Sequence, residues 1–322
     1  MALHSPHAHD LSTDIEEKTP EVLDSDKFAD EDSASELSID FATYHDEHAG
    51  RLIVDPEEAR LEFGEKVAAR LKLTEDGTKV LWPQPTDSPE DPQNWSARRK
   101  TLQLVIITIA SFGLDFNHGI GIAAVWALAK QFNTTTGVIN NLTTNWSIFV
   151  VGWGCIFSVI LIRRYGRLPV IFWSQILALS FLVGCTFAPN LKTFAGTHHT
   201  TQRKPLFSSP MQQGLYVVTD MYPFHLQARK LNIWTMSFII APFMSPFALG
   251  FLVARADWRW GYGVGNMYLA TVLLLIVFLG EETMYDRKVK PIPPRPSHGL
   301  RYRVETLLGV TGAKMAKHRA TW

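Results

Sequence analysis

Long apolar runs separated by short basic turns dominate the chain from residue 96 onward. A helix that crosses a bilayer needs about 20 mostly apolar residues, because lipid offers backbone N–H and C=O groups no partner. Five stretches meet that need: Thr101–Ala129, Leu142–Ile162, Leu168–Pro189, Leu231–Ala254 and Trp260–Gly280. Ahead of them the pattern changes. Pro56 to Leu73 sets Leu61, Val67, Ala68 and Leu71 at near-helical spacing among charges. That predicts a short amphipathic helix, whose mixed charge suits solvent better than a membrane surface. Pro83, Pro85, Pro89 and Pro92 then predict a stiff linker into the first apolar run.

Charge adds an orientation. Arg98-Arg99-Lys100, Arg163-Arg164 with Arg167, Arg229-Lys230, and Arg287-Lys288 with Lys290 flank the apolar runs. The positive-inside rule makes all four flanks cytosolic, and with them the N-terminus. Parity then fails. The third run ends outside, near Asn190, yet the next clear run starts from a cytosolic flank, so one more crossing is required. Residues 195–228 offer only Gly214 to Val218 as an apolar run, and Thr197 to Pro205 is polar and charged. Charges at mid-membrane cost about 2.5–3.5 kcal/mol each even on a lenient scale. The expectation is five well-formed spans, a degraded and broken fourth, and an open lateral face.

Composition conceals this division. Mean hydropathy is +0.01 and formal charge is zero. Residues 1–95 nevertheless hold 24 Asp+Glu against 8 Lys+Arg, and residues 96–322 hold 7 against 23. The acidic part is poor in aromatics and is expected to be mostly disordered to about residue 54. Its start shows no cleavable signal peptide, and His4, His7 and His9 read as a disordered tract better than as a metal site. Cys155 and Cys185 fall in different apolar runs, roughly 14 Å apart in depth by helical rise, so they predict packing residues and no disulfide. There is no P-loop, and no His/Cys/Asp cluster has metal-ligand or nucleophile spacing. Enzyme chemistry, a metal, a cofactor and a nucleic-acid partner are therefore not expected.

Asp115 is the sharpest candidate for function, near the middle of the first run within Gly113-Leu114-Asp115-Phe116-Asn117-His118-Gly119. A carboxylate at that depth normally faces a watery cavity. His118, three residues on, shares its helix face and titrates near neutrality. Flanking glycines permit local unwinding there. The pair could bind a cation or proton, with Asn117 beside it, or could be a structural polar pair between helices. Asn140, Asn145 and Trp146 open the second run, either lining a cavity mouth or anchoring at the interface. Asn133, Asn141 and Asn145 each begin an N-x-[ST] sequon close to the bilayer. Pro242 and Pro246, with small Ala241, Ser245 and Gly250, allow a bend and close helix contact in the run after Arg229.

Several motifs, in order, carry a family resemblance. Val80-Leu81-Trp82-Pro83 and Asp91-Pro92-Gln93-Asn94-Trp95-Ser96 resemble the segment before the first helix of fungal major facilitator superfamily (MFS) transporters. Arg164-Tyr165-Gly166-Arg167 resembles that superfamily's basic Gly-Arg loop between helices two and three. Ala241-Pro242-Phe243-Met244-Ser245-Pro246, ending at Leu249-Gly250, resembles the helix-five motif of its proton-antiporter branch. Trp258-Arg259-Trp260 matches the outer loop between helices five and six, and Glu281-Glu282-Thr283-Met284-Tyr285 matches the ending of helix six. Departures are visible: Arg163 stands where the loop usually carries Asp, Leu168 where it carries a base, and Ala241 and Ser245 where Gly is usual.

The resemblance, over roughly residues 80–322, implies an all-α membrane protein with the N-terminal six-helix half of an MFS fold and no second half. It divides the chain into an acidic cytosolic tail at 1–95 (short helix near 56–73), a transmembrane half-domain at 96–286 and a cytosolic loop remnant at 287–322. It further implies proton-coupled, alternating-access transport of a small organic solute, with the bilayer and protons as the other partners. A charge latch between Arg164, Arg167 and Asp220 near Gly166 would hold one state. The disrupted stretch around 197–213 and the end at Trp322 lead to the expectation that this chain does not transport alone. The alternative is a truncated or mis-spliced membrane protein acting as an interaction scaffold. Plasma and vacuolar membranes both remain open.

Overall fold

The computed structural model describes residues 53–202, 210–285, 287 and 299–316. The expected disorder of the tail before residue 53 lies outside the described residues. Among the described residues the regular elements are helices, apart from an isolated antiparallel bridge between Leu73 and Val80.

The long helices follow the apolar runs, with ends set by local chemistry. Helix α1 (Pro56–Ala68) starts where Asp55 accepts from the Glu57 N–H, and Gly64, at φ +75°, interrupts it. Helix α2 (Ala97–Ala123) starts at Ser96, whose hydroxyl accepts from the Arg99 N–H. Its 27 residues give about 40 Å, more than a bilayer core needs. Two short helices follow, α3 (Val125–Gln131) and α4 (Thr136–Asn140). A π-helical turn, Asn141–Asn145, leads into α5 (Trp146–Tyr165), and Gly166 separates α5 from α6 (Arg167–Thr186). Helices α7 (Leu191–Gln202) and α8 (Pro210–Met221) flank residues 203–209. Helices α9 (Phe224–Arg255) and α10 (Arg259–Leu279) follow, then α11 (Leu300–Leu307) and α12 (Val310–Ala316). Among the described residues four helices are long and apolar enough to cross a membrane: α2, α6, α9 and α10. At 20 residues α5 matches them in length.

Helix α2 is the centre of the bundle, packed by α8, α9 and α10, while α6 packs on α7 and α10. Ion pairs and hydrogen bonds gather the basic flanks at one end. Arg99 at the start of α2 binds Glu281 just after α10, and Arg167 at the start of α6 binds Asp220 near the end of α8. At the opposite end Phe132, Phe194, Trp258 and Tyr262 cluster, with ring centroids 5.5–6.3 Å apart. Phe194 of α7 lies in that far-end cluster and Asp220 of α8 at the basic end, so the chain has returned across the bundle by the end of α8. The extra crossing demanded by charge parity is made by two 12-residue helices. Each is about 18 Å long, too short to span alone.

Two stretches carry more structure than their spacing predicts. The proline-rich stretch, expected as a stiff linker, is packed against the residues before it. Ile53, Ala59, Leu71, Val80 and Trp82 form a small core of their own, and Lys72 Nζ donates to the Pro85 and Thr86 carbonyls at 2.9 and 3.1 Å. The Phe224 N–H donates to the Trp82 carbonyl, pinning this module to the start of α9. Residues 299–316, expected as a loop remnant, form α11 and α12, which pack on α6 and α5.

Candidate functional site

The basic end is built from backbone geometry outward. Gly166 adopts φ +99° between α5 and α6, a conformation that costs glycine little. A Cβ there would run into the Glu282 carboxylate. That carboxylate caps α6, accepting from the Arg167 and Leu168 N–H groups at 3.1 and 3.0 Å, and from the Met284 N–H at 2.9 Å. A negative charge at a helix N-terminus meets unpaired N–H groups and the positive end of the dipole. Arg167 then points inward. Its side chain, 9% exposed, pairs with Asp220 at 2.5 Å. It also donates to the Tyr216 carbonyl and lies over the Tyr216 ring at 5.5 Å. Arg164 stays exposed, with its guanidinium 5.7 Å from the Tyr165 ring, and so stands apart from the Asp220 pairing.

A second ion pair adjoins the first. Arg287 donates to both oxygens of Asp91, at 2.9 and 3.2 Å, and to the Asp220 carbonyl at 3.4 Å. Asp91 is fully buried and also accepts from the Gln93 and Thr86 N–H groups, each at 3.0 Å. Arg99 holds Glu281 through two bonds from Nε, at 3.0 and 2.9 Å, and stacks 4.0 Å over Trp95. Gln103 bridges α2 to the end of α10, donating to the Leu279 carbonyl and accepting from the Glu281 N–H. Arg303 on α11 donates to the Ile276 and Val277 carbonyls, closing the C-terminus of α10; burial lowers its pKa from the usual guanidinium value. A small cavity of about 20 Å³ lies behind Arg167, between Gln103, Ile107, Val217 and Glu281.

Sequence reasoning singled out Arg167 and Asp220, used Asp91 only within a motif and Arg287 only as a basic flank, and passed over Gln103 and Arg303. A usable signal existed for Asp91 alone: Asp followed by Pro is an N-cap with Pro at the first helical position, and Asp91 caps the turn Pro92–Asn94.

The mid-bundle candidates are dispersed. Asp115 and His118 are half-buried on α2 and interact electrostatically. The glycines around them do not unwind the helix, which runs unbroken to Ala123. They are consumed in packing: a Cβ on Gly113 would overlap Tyr268, and one on Gly119 would overlap Ser245 and Pro246. Asn117 Nδ2 donates to the Gly113 carbonyl at 2.7 Å, and its Oδ1 sits buried against Gly265 of α10. That places its Oδ1 at the interface between α2 and α10. Asn145 is exposed and donates to Asn141 Oδ1 at 2.5 Å. Trp146 heads an exposed row with Phe149, Trp153, Ile156 and Ile160, the face a membrane helix turns to lipid.

The α9 motif divides as well. The helix continues through Pro242 and Pro246. Ala241, Ser245 and Leu249 are its buried face, and Ser245 packs on Gly119 of α2. Among the described residues Gly250 meets nothing within 4 Å. Among the described residues no group of three or more His, Cys, Asp or Glu is placed to hold a metal ion.

Apolar helices of spanning length, with the ion pairs Arg99–Glu281, Arg167–Asp220 and Arg287–Asp91 gathered at one end, define a multi-pass α-helical membrane protein. No family model matches the chain. It is 26% identical over 212 residues to the MFS transporter fsa7 of Fusarium sp. (strain FN080326), covering 65% of this chain and 41% of that protein. Over 225 residues it is 26% identical to the trichosetin biosynthesis cluster MFS transporter of Gibberella fujikuroi, covering 66% and 46%. The MFS-type transporter hepF of Aspergillus oryzae matches at 26% over 217 residues, covering 63% and 43%. The chain is thus a relative of the fungal MFS transporters, and it spans less than half the length of these curated relatives.

Proposed function

We propose that the chain supplies a helical wall of an MFS secondary carrier, which moves a small organic solute by alternating access. The observation that carries this reading is the basic-end layer, in which Arg167 meets Asp220 and Glu282 caps the helix that carries Arg167. A buried charge pair is costly to break by removing one partner, about 3–5 kcal/mol. Such a pair suits a latch that holds one end closed until solute binding offsets its opening. The N-terminus and the basic end face the cytosol in this proposal, following the excess of Lys and Arg on those flanks. Asp115 with His118 is the proposed proton- or cation-binding pair. A relative named for a trichosetin biosynthesis cluster fits a small organic product as cargo.

The test is saturable solute flux in liposomes by a reconstituted carrier that contains this chain, measured with the unaltered residues and with Arg167→Ala, Asp220→Ala and the double variant. Contacting residues couple by about 0.5–3 kcal/mol, so the double variant should lose less than the sum of the single losses. Additive losses would remove the latch from the mechanism. A second reading, a membrane scaffold that assembles without transporting, draws support from the apolar face of α9. Phe243, Phe247 and Phe251 are each more than 60% exposed there. Absence of saturable flux, with the chain folded and bound to other membrane chains through α9, would favour that reading.

A further inference from the structure

Helix α11 presents two unlike faces. Leu307 is buried with Leu168, Val272 and Ile276, and Arg303 reaches the last carbonyls of α10. On the other side Leu300, Val304 and Leu308 recur every fourth residue and are 88%, 51% and 50% exposed. That spacing aligns them in one apolar row, and three large side chains in register are more than scattered surface hydrophobics. The row does not stand alone. Leu274, Phe278 and Leu279 at the adjoining end of α10 are exposed as well, on a helix of membrane-spanning length.

Charge selects the occupant. Arg301 is 93% exposed beside the row, and its pairing with Glu305 is of the weak surface kind. Lys314 on α12 and Arg163 and Arg164 at the end of α5 are exposed too, and α12 packs on α5. Residues 287–322 hold nine Lys and Arg against one acid, Glu305. An apolar row flanked by bases, continuous with a lipid-facing helix, suits the headgroup region of an anionic bilayer.

We propose that α11 and α12 form an interfacial foot, with Leu300, Val304 and Leu308 in the acyl boundary and Arg301 and Lys314 on anionic headgroups. This rests on the membrane-spanning helices alone and requires no transport. Removing one such base should lower lipid contact about fivefold.

The test uses the full chain in vesicles, with Cys155→Ala and a fluorophore placed through Val304→Cys or, as a control, Glu75→Cys on the exposed surface of the N-terminal module. Nitroxide lipids should quench the Val304→Cys label and spare the Glu75→Cys label. In phosphatidylserine vesicles Arg301→Gln and Lys314→Gln should each reduce that quenching, whereas in phosphatidylcholine vesicles they should not. Hydrogen exchange of residues 300–316 in the unmodified chain gives a second readout, with slower exchange expected in phosphatidylserine. Quenching of the Val304→Cys label by iodide and not by nitroxide lipid would overturn the proposal. So would shielding from both quenchers that grows with protein concentration, which would assign the row to a second copy.

Discussion

Asp91→Ala should release the N-terminal module from the bundle. The carboxylate is fully buried, and both of its oxygens are in use. Oδ1 accepts from the Gln93 N–H and Arg287, and Oδ2 from the Thr86 N–H, the Thr86 hydroxyl and Arg287. Alanine removes the cap of the Pro92 turn and leaves Arg287, only 16% exposed, without its anion. Breaking a buried pair from one side costs about 3–5 kcal/mol. Taking about 3 kcal/mol, because Arg287 keeps some access to water, the population with the module detached rises on the order of a hundredfold. Asp87→Ala is the matched control, since Asp87 is 98% exposed and pairs with Lys72 at the surface. Hydrogen exchange over residues 53–95, with trypsin cleavage at Lys72 and Lys79, reads the detachment in the purified chain. Equal protection in the two variants would refute the reasoning, because the buried pair would then hold nothing that the surface pair does not.

Three further outcomes follow from particular contacts. Gly166→Ala should destabilise by about 1–3 kcal/mol, through strain at φ +99° and displacement of the Glu282 cap, and thermal unfolding in detergent measures it. Gly214→Ala should also destabilise, because its Cβ would overlap the Trp234 indole, whereas Gly263→Ala, with nothing within 4 Å, should gain up to about 1 kcal/mol of helix propensity. In a reconstituted carrier, Asp115→Asn should abolish the pH dependence of flux while leaving expression unchanged; an unaltered pH profile would reduce Asp115 to packing.

The long helices were legible because membrane spans leave a one-dimensional record: apolar length and flanking charge suffice, whatever the neighbours. The missing crossing was legible for the same reason, since four basic flanks fix a parity. The polar layer was less so. Asp220 lies 53 positions from Arg167 in the chain and Glu281 lies 182 from Arg99, and no spacing rule relates such residues. The Glu282 cap required knowing that the end of α10 meets the start of α6. Trp146 and Asn117 show a further limit of reading along the chain. A polar or aromatic residue in an apolar run suggests a cavity, but only the packed bundle distinguishes a cavity from a lipid face or a helix seam.

The glycine notches on α2 bear on how the bundle can move. Gly113 receives Tyr268 of α10, Gly119 receives Ser245 and Pro246 of α9, and Asn117 fits against Gly265. Interlocked side chains of this kind resist sliding, since each would have to climb out of its socket before the helices could shift by one turn. Helices α2, α9 and α10 are therefore interlocked as one block. Helix α5, with Gly152 in open space and an outer row turned away from its neighbours, meets that block through a socket at its entry, where Gly121 of α2 receives Thr143 of the π-helical turn. Beyond that turn, the seam between the three-helix block and α5 is where the described helices are least interlocked.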